Sequence, residues 1–162
     1  MKLLKHIEDK PLPKEFTVRF AVRAVLFDDK DGLIPLLYVS KFGYHKLPGG
    51  GIKNKEDKMK ALNREVLEET GVVGEIEGEV GEITEYRSKW NLFQTSYCYF
   101  GKVKTKGKQS YTSKETREGF KLVWLSLDEA IDKLESDNPT NYEGKFIQER
   151  DLRFLQEVKK QG

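Results

Sequence analysis

The chain has 162 residues, of which 29 are basic and 27 acidic, and it carries a net charge of +2. A dedicated nucleic-acid-binding protein would usually show a strong basic excess, so the composition argues against that class. No apolar run approaches the ~20 residues that a membrane-spanning helix needs, and the N-terminus lacks the apolar core of a signal peptide. Because Cys98 is the only cysteine, no internal disulfide can form. We therefore expect a cytoplasmic protein that forms one domain over residues 1–162.

The first third of the chain is predicted to form strands that lead into a glycine run. Residues 1–15 are polar, contain two prolines and are expected to form an N-terminal arm or an edge segment. Residues 17–27 and 33–39 are rich in aliphatic and aromatic side chains, which predicts two strands joined by a turn. Residues 47–51 read Leu-Pro-Gly-Gly-Gly. Three successive glycines allow the backbone to approach a metal or a phosphate closely.

The following segment, residues 56–70, is predicted to form a helix because it lacks proline and glycine and is rich in good helix formers. Gly71 follows, where a helix commonly ends in a left-handed residue. At about 100° per residue, Glu65, Glu68 and Glu69 fall on one face of this helix. Like charges at these spacings cost about 0.2–0.5 kcal/mol per pair, so something is expected to offset their repulsion.

The chain after the helix alternates strands with a polar loop and two helices. Strands are predicted at residues 72–76, 83–89, 93–103 and 120–125, a polar loop at residues 105–119, and helices from about residue 126 and over residues 145–160. Cys98 lies in an apolar stretch, where a buried small side chain is expected rather than a nucleophile. Mixed strands with few helices indicate an α+β or α/β fold with one central sheet layer.

The three glutamates on one helix face suggest a site for a hard metal ion. Mg²⁺ and Mn²⁺ prefer oxygen ligands, and Mg²⁺ typically shares its coordination shell between carboxylates and substrate phosphates. We therefore predict Glu65, Glu68 and Glu69 as ligands, with Mg²⁺ as the cofactor and Mn²⁺ as an alternative. A metal held there would neutralise phosphate oxygens and activate a water molecule. The alternative interpretation is a solvated acidic helix face whose charges pair with lysines.

The segment from Gly50 to Val72 resembles the signature of the Nudix hydrolases. That signature is a glycine, five residues, Glu, seven residues, Arg-Glu-aliphatic, one residue, Glu-Glu, one residue and Gly-aliphatic, and the chain matches it throughout. The resemblance implies an α/β/α sandwich with a central mixed β-sheet. It also implies hydrolysis of a pyrophosphate bond in a nucleoside diphosphate linked to another group, a small-molecule nucleotide. A homodimer would be common for such a protein.

The resemblance further implies roles for residues around the three glutamates. It implies a backbone carbonyl ligand from Gly49, structural glycines, and a partnership between Glu56 and Arg64 that orients the helix. The structural positions are Gly50, Glu56, Arg64 and Gly71. The general base is expected to be Glu65 or a glutamate of the downstream loop, where Glu118 is the first candidate and Glu115 the second.

Aromatic and histidine side chains outside the signature are candidates for binding the substrate. Aromatic faces can stack on a base for about 1–3 kcal/mol each, although each such side chain could instead belong to the core. The candidates are Phe42, Tyr44, His45, Trp90 and Phe93.

The substrate class is narrowed by comparison with members of this family. ADP-ribose-type members typically have a proline about fifteen residues after the signature, whereas this chain has none between Pro48 and Pro139. Members that act on dinucleoside polyphosphates tend to have a tyrosine at a similar distance, and Tyr86 is a weak indication of that substrate class. We expect a nucleoside triphosphate or an oxidised nucleotide, cleaved to the monophosphate and pyrophosphate. The alternatives are a dinucleoside polyphosphate, an RNA 5′ end, or a non-catalytic nucleotide sensor.

Overall fold

The computed structural model describes residues 1–162, which form eight strands, four α-helices and a short 3₁₀ turn at Ser88–Trp90. The strands are β1 Leu3–Glu8, β2 Thr17–Phe27, β3 Ile34–Val39, β4 Tyr44–Lys46, β5 Gly49–Gly51, β6 Val72–Arg87, β7 Leu92–Lys106 and β8 Phe120–Leu125. The helices are α1 Lys58–Thr70, α2 Ser113–Arg117, α3 Leu127–Ser136 and α4 Tyr142–Gln161. No helix combines the length and the apolar composition that crossing a membrane requires.

The strands form a mixed sheet of five strands and an antiparallel sheet of three. The larger sheet has the order β1-β6-β7-β2-β5, in which β1 runs parallel to β6 and β2 runs parallel to β7. The smaller sheet has the order β4-β3-β8. The larger sheet is central, because α1 packs on one of its faces and the smaller sheet with α3 and α4 packs on the other. The predicted α/β fold with a central mixed sheet is therefore confirmed.

Two buried clusters hold these layers together. Fifteen residues form the larger cluster between the central sheet, β3, α3 and α4, and it includes Val25, Ile34, Phe154 and the fully buried Cys98. Eight residues form the cluster under α1, where Leu62 and others meet the opposite face of β2. Because successive residues of a strand face opposite sides, β2 contributes to both clusters. Its two faces therefore fix the position of α1 relative to the smaller sheet.

Helix α1 is bounded by capping residues that the sequence supplies locally. Asp57 accepts a hydrogen bond from the Lys60 N–H at 2.8 Å and caps the N-terminus. Gly71 ends the helix with φ of +73° and donates its N–H to the Leu67 carbonyl. The caps fix where α1 begins and ends, while the buried side chains of Ala61, Leu62 and Val66 fix which face of the helix packs on β2.

Several boundaries differ from the sequence-based expectations. The chain from Val72 to Arg87 is one strand rather than two, because register shifts near Gly74, Gly78 and Gly81 allow the ladder to continue through a polar stretch. Residues 1–15 contain the edge strand β1, which agrees with the second of the two expectations for this segment. The predicted polar loop at residues 105–119 contains α2, and α4 begins three residues earlier than the predicted 145.

Candidate active site

A polar cavity of about 220 Å³ opens beside β5, between the two sheets. Three of its 17 lining residues are hydrophobic, so it suits a charged ligand rather than an apolar one. The lining residues are Arg19, Arg23, Tyr44, Lys46, Gly49, Gly50, Gly51, Glu65, Glu69, Arg87, Thr112, Lys114, Glu115, Glu118, Phe120, Glu143 and Ile147.

The glycines of β5 bring the backbone against the glutamates of α1. The Gly49 N–H donates a hydrogen bond of 2.7 Å to Oε1 of Glu69. A Cβ atom on Gly50 would lie 2.5 Å from Cδ of Glu65, so the Glu65 carboxylate occupies the space that any other side chain would fill. Gly49 itself has φ of +145°, and a Cβ there would lie 1.9 Å from the Val22 carbonyl oxygen. A side chain at Gly49 would therefore require a shift of the backbone, whereas a side chain at Gly50 would displace the Glu65 carboxylate.

Glu69 is the most deeply buried acid that lines the cavity, with 1% of its surface exposed. Burial raises the pKa of its carboxyl to about 8, although the Lys46 ammonium and the Gly49 N–H both favour the charged form. Nζ of Lys46 lies 3.8 Å from Oε2 of Glu69. A strongly perturbed acid in a polar cavity is a typical feature of a functional site.

Arg64 connects the acidic helix to the loop before it and to the glycine strand. Its guanidinium donates two hydrogen bonds of 2.8 and 2.9 Å to Glu56 and one of 3.2 Å to the Gly51 carbonyl. Hydrogen bonding from Arg64 is the largest cause that lowers the pKa of Glu56 to about 2. The contact between Glu56 and Arg64 that the family resemblance implies is thus present. It also places Nη1 of Arg64 2.8 Å from Glu65 and 3.7 Å from Glu68.

The three glutamates are not gathered into a cluster, and no three acidic, histidine or cysteine side chains of the chain stand close enough together to hold a metal ion. Glu65 and Glu68 share Arg64, while Glu69 turns to Gly49 and Lys46. Glu68 has 39% of its side chain exposed and does not line the cavity. The donor set still suits a divalent cation in its chemistry, because two carboxylates and the glycine backbone line one cavity. Metal ligation by these glutamates and Gly49 stays a prediction.

The two loop glutamates lie differently, although both line the cavity. Glu115 caps α2, since its carboxylate accepts a 2.9 Å hydrogen bond from the Thr112 N–H. Glu118 ends α2 with 14% of its side chain exposed, and its ionic partner is the Lys114 ammonium at 3.8 Å. The Glu118 carboxylate does not take part in a helix cap, whereas that of Glu115 does.

The predicted substrate-binding side chains separate into one that lines the cavity and four that do not. Tyr44 lines it, and so does Lys46, two residues further along β4. His45 points the other way, as alternation along a strand requires, and its Nδ1 lies 3.0 Å from Asp137 Oδ2. Trp90 contacts Tyr142 edge to face at 5.4 Å. Phe42 packs against a small buried cluster of Val39, Tyr44 and Ile147, and Phe93 packs against the Phe16 ring.

Three arginines of the cavity were not predicted from the sequence. Arg19 and Arg23 lie four residues apart on one face of β2, and Arg87 ends β6. The signal that could have found the first two is positive charge at matching positions of a strand that is otherwise apolar.

Comparisons with known proteins agree with this geometry. A family model described as NUDIX domain matches residues 17–145. A search of curated proteins finds no match. Among solved structures, the chain is similar to a NUDIX hydrolase from Nitrosomonas europaea, with 19% identity, a TM-score of 0.66 and 90% of each chain covered. It is also similar to the MutT protein from Methanosarcina mazei Go1, with 23% identity, a TM-score of 0.63, and 91% of this chain and 99% of that chain covered.

These structural similarities, all at low identity, show the fold, whereas the family model carries the assignment. That model covers most of the chain and includes the entire glycine strand and the acidic helix. Members of this family hydrolyse pyrophosphate bonds in nucleotide-like substrates and generally use divalent metals. The chain therefore belongs to the Nudix family of pyrophosphohydrolases.

Proposed function

We propose that the protein hydrolyses a nucleoside triphosphate or an oxidised nucleotide to the monophosphate and pyrophosphate, with Mg²⁺ as the cofactor and Mn²⁺ as an alternative. The observation that carries the proposal is the polar cavity, in which Glu65 and Glu69 share one space with Arg19, Arg23 and other cationic side chains. Such a cavity combines carboxylates that suit a divalent metal with cations that suit phosphate, and catalysis of phosphoryl transfer depends mainly on positioning and charge stabilisation by such groups.

The metal would be held by Glu65, Glu68 and Glu69 with the carbonyl of Gly49. A divalent cation held by these groups would supply charge neutralisation at phosphate oxygens and activation of water. The rest of the chemistry depends on the chain itself. The Gly49 N–H donates to Glu69, and Arg64 donates to the Gly51 carbonyl, so two hydrogen bonds hold α1 on the glycine strand β5.

The general base is proposed to be Glu118, with Glu65 as the alternative. Glu118 lines the cavity with Lys114 as its ionic partner, whereas Glu65 already accepts a 2.8 Å hydrogen bond from Arg64. Loss of a general base removes the acidic limb of the pH profile of kcat/KM, while loss of a metal ligand changes the dependence on metal concentration. Profiles of Glu118→Gln and Glu65→Gln, each at several Mg²⁺ concentrations, distinguish the two roles. A Glu118→Gln enzyme with the wild-type profile would contradict the proposed base.

A non-catalytic nucleotide sensor is the second candidate, and one observation favours it. Glu65, Glu68 and Glu69 are engaged by Arg64, Lys46 and the Gly49 N–H instead of converging on one point. A sensor would bind nucleotide tightly without turning it over. Metal-dependent turnover separates the two candidates directly.

The experiment that tests the proposal is a substrate panel with Mg²⁺ and Mn²⁺ supplied separately. The panel holds normal and 8-oxo nucleoside triphosphates, dinucleoside polyphosphates, ADP-ribose, a nucleotide sugar and a triphosphorylated RNA. Products are identified by phosphorus NMR in ¹⁸O-labelled water, which shows the phosphorus that water attacks. The proposal expects pyrophosphate and monophosphate from a triphosphate. Preferential cleavage of a nucleotide sugar would contradict the proposal. The panel includes a nucleotide sugar because one solved structure similar to this chain, at 18% identity, bears the description UDP-X diphosphatase.

Three further expectations stay predictions of the sequence and of the family resemblance. They are a single domain over residues 1–162, a cytoplasmic location and a homodimer.

A further inference from the structure

Arg23 is a buried cation that lacks the partners its charge requires. It has 4% of its surface exposed, it lines the cavity, and neither its Nε nor its Nη1 has a hydrogen-bond partner. Burial lowers its pKa to about 10, so the guanidinium is still charged at neutral pH. Buried polar groups in native proteins are almost always hydrogen-bonded, and a charged donor without a partner is costly. Its free N–H groups are therefore suited to an anionic ligand in the cavity.

Arg19 and Arg87 line the same cavity. Arg19 lies on the same face of β2 as Arg23, and its guanidinium covers Gly51, where a Cβ would lie 2.7 Å from Nη2. The side chain of Arg19 donates a hydrogen bond to the amide oxygen of Gln94 and forms no ion pair with a carboxylate. Arg87 is 3% exposed. The cavity thus holds two arginines, Arg19 and Arg23, whose charges no carboxylate pairs.

The fully buried carboxylate of Glu85 restrains the side chains of Arg87 and Gln94. Glu85 accepts a 2.8 Å hydrogen bond from Nε of Arg87 and a 3.0 Å hydrogen bond from Arg150. The amide of Gln94, which orients Arg19, donates to Glu85 at 3.4 Å and to Ser96 at 3.1 Å. Because these contacts restrict the side chains of Arg19 and Arg87, these two arginines are preorganised rather than free to adapt. Glu143 also approaches Arg87, at 3.4 Å.

Arg19 and Arg23 lie on β2, which pairs with the glycine strand β5, whereas Arg87 ends β6 and reaches the same cavity from further along the sheet. Arg23 is paired in register with Gly49, and Ala21 with Gly51. The three arginines line one cavity with Glu65 and Glu69, so a phosphate chain bound there can contact both groups of side chains. Guanidinium groups recognise phosphate through paired, charge-assisted hydrogen bonds.

We propose that Arg19, Arg23 and Arg87 form a subsite for an anionic group of the substrate beyond the two phosphates of the hydrolysed bond. The enzyme then prefers substrates with three or more phosphates to nucleoside diphosphates linked to a neutral sugar. This inference rests on the proposed function, because it names what the same cavity selects. Glu85 and Gln94 are positioning residues for the subsite.

Binding of inorganic tripolyphosphate in the presence of a chelator tests the subsite without metal and without turnover. Calorimetry and thermal unfolding are compared for the wild type, Arg23→Gln, Arg19→Gln and the control Arg153→Gln, whose arginine pairs with Glu157 on α4 outside the cavity. We expect Arg23→Gln to weaken binding about tenfold or more and Arg153→Gln to leave it unchanged. Tripolyphosphate should raise the unfolding temperature of the wild type and not that of Arg23→Gln.

The unliganded variants give a second result that keeps the inference falsifiable. Because Arg23→Gln removes a buried charge without partners, it should unfold at the wild-type temperature or above it. Arg19 is exposed and has no carboxylate partner, so Arg19→Gln should fold normally and also weaken binding of tripolyphosphate. Equal binding by the wild type and both variants, or no binding by the wild type, would overturn the inference.

Kinetics separates failure of the subsite from failure of the proposed function. The ratio of kcat/KM for a nucleoside triphosphate to that for UDP-glucose should fall about tenfold in Arg23→Gln. Turnover with an unchanged ratio would contradict the subsite alone. Absence of turnover on every substrate, together with loss of tripolyphosphate binding in Arg23→Gln, would contradict the proposed hydrolysis and support the subsite.

Discussion

Replacement of Arg150 by methionine should destabilise the protein more than any exchange of a surface charge. Arg150 is fully buried on α4 and donates a 2.8 Å hydrogen bond to Asp151 and a 3.0 Å hydrogen bond to Glu85, both of which are also fully buried. The side chain of Asp151 additionally accepts the Leu47 N–H at 2.9 Å. Burial alone would lower the pKa of Arg150, but the charges of Asp151 and Glu85 raise it above its ordinary value.

The magnitude follows from what the substitution would leave behind. Removal of one partner from a buried ion pair leaves an uncompensated charge and costs about 3–5 kcal/mol. One nitrogen of Arg150, Nη2, has no hydrogen-bond partner, which places the expected loss in the lower half of that range. At roughly 2–4 °C per kcal/mol for a protein of this size, the unfolding temperature should fall by about 6–16 °C.

The assay is reversible unfolding in urea at neutral pH, with Lys159→Met as the control. Lys159 also lies on α4 and pairs with Asp128 at 2.8 Å, with 61% and 72% of the two side chains exposed. An exposed pair of this kind contributes little to the free energy of unfolding. A loss for Arg150→Met that is no larger than the loss for Lys159→Met would refute the reasoning.

Three further predictions concern glycines and one acid. Gly50→Ala places a Cβ 2.5 Å from Cδ of Glu65 and should lower kcat/KM about 100-fold through displacement of that carboxylate, as steady-state kinetics can show with circular dichroism to verify folding. Gly71→Ala combines φ of +73° with a Cβ 2.3 Å from the Gly107 carbonyl oxygen and should cost more than about 1 kcal/mol of unfolding free energy; an unchanged urea midpoint would contradict this. The third prediction concerns stability in acid. Burial tends to raise the pKa of Glu85, but its two arginine partners hold that pKa below the ordinary 4.5 in the folded protein. The charged Glu85 therefore stabilises the fold above pH 4.5, and this stabilisation is lost as the pH falls through the lower pKa of the folded state. Stability of Glu85→Gln should therefore fall less steeply than that of the wild type between about pH 5 and pH 3, and parallel profiles would exclude this role.

The acidic helix was predictable because its determinants are local. The 3.6-residue period placed three glutamates on one face, and Gly71 supplied the left-handed end. The glycine run before it signalled close approach of the backbone, and the Gly50–Glu65 contact shows why glycine is needed there. Each of these signals lies within one short, continuous segment of the sequence.

The arginine side of the cavity depends on pairings between distant parts of the chain. Arg23 meets Gly49 through strand register, and Glu85 meets Arg150 across 65 residues. No local pattern indicates such contacts, so none of the three arginines was among the predicted site residues. His45 is the opposite case, because it was predicted to bind substrate but does not line the cavity. Neighbouring residues of a strand face opposite sides, so alternation along β4 separates His45 from Tyr44.

The most direct test of the central claim is Mg²⁺-dependent release of pyrophosphate from nucleoside triphosphates by the wild type and by Glu69→Gln. The variant keeps the size of a side chain that accepts the Gly49 N–H, so circular dichroism should show a folded protein. Our account predicts turnover by the wild type that a chelator abolishes and that the variant lacks. Turnover that persists in the folded variant, or that does not require a divalent metal, would contradict the account.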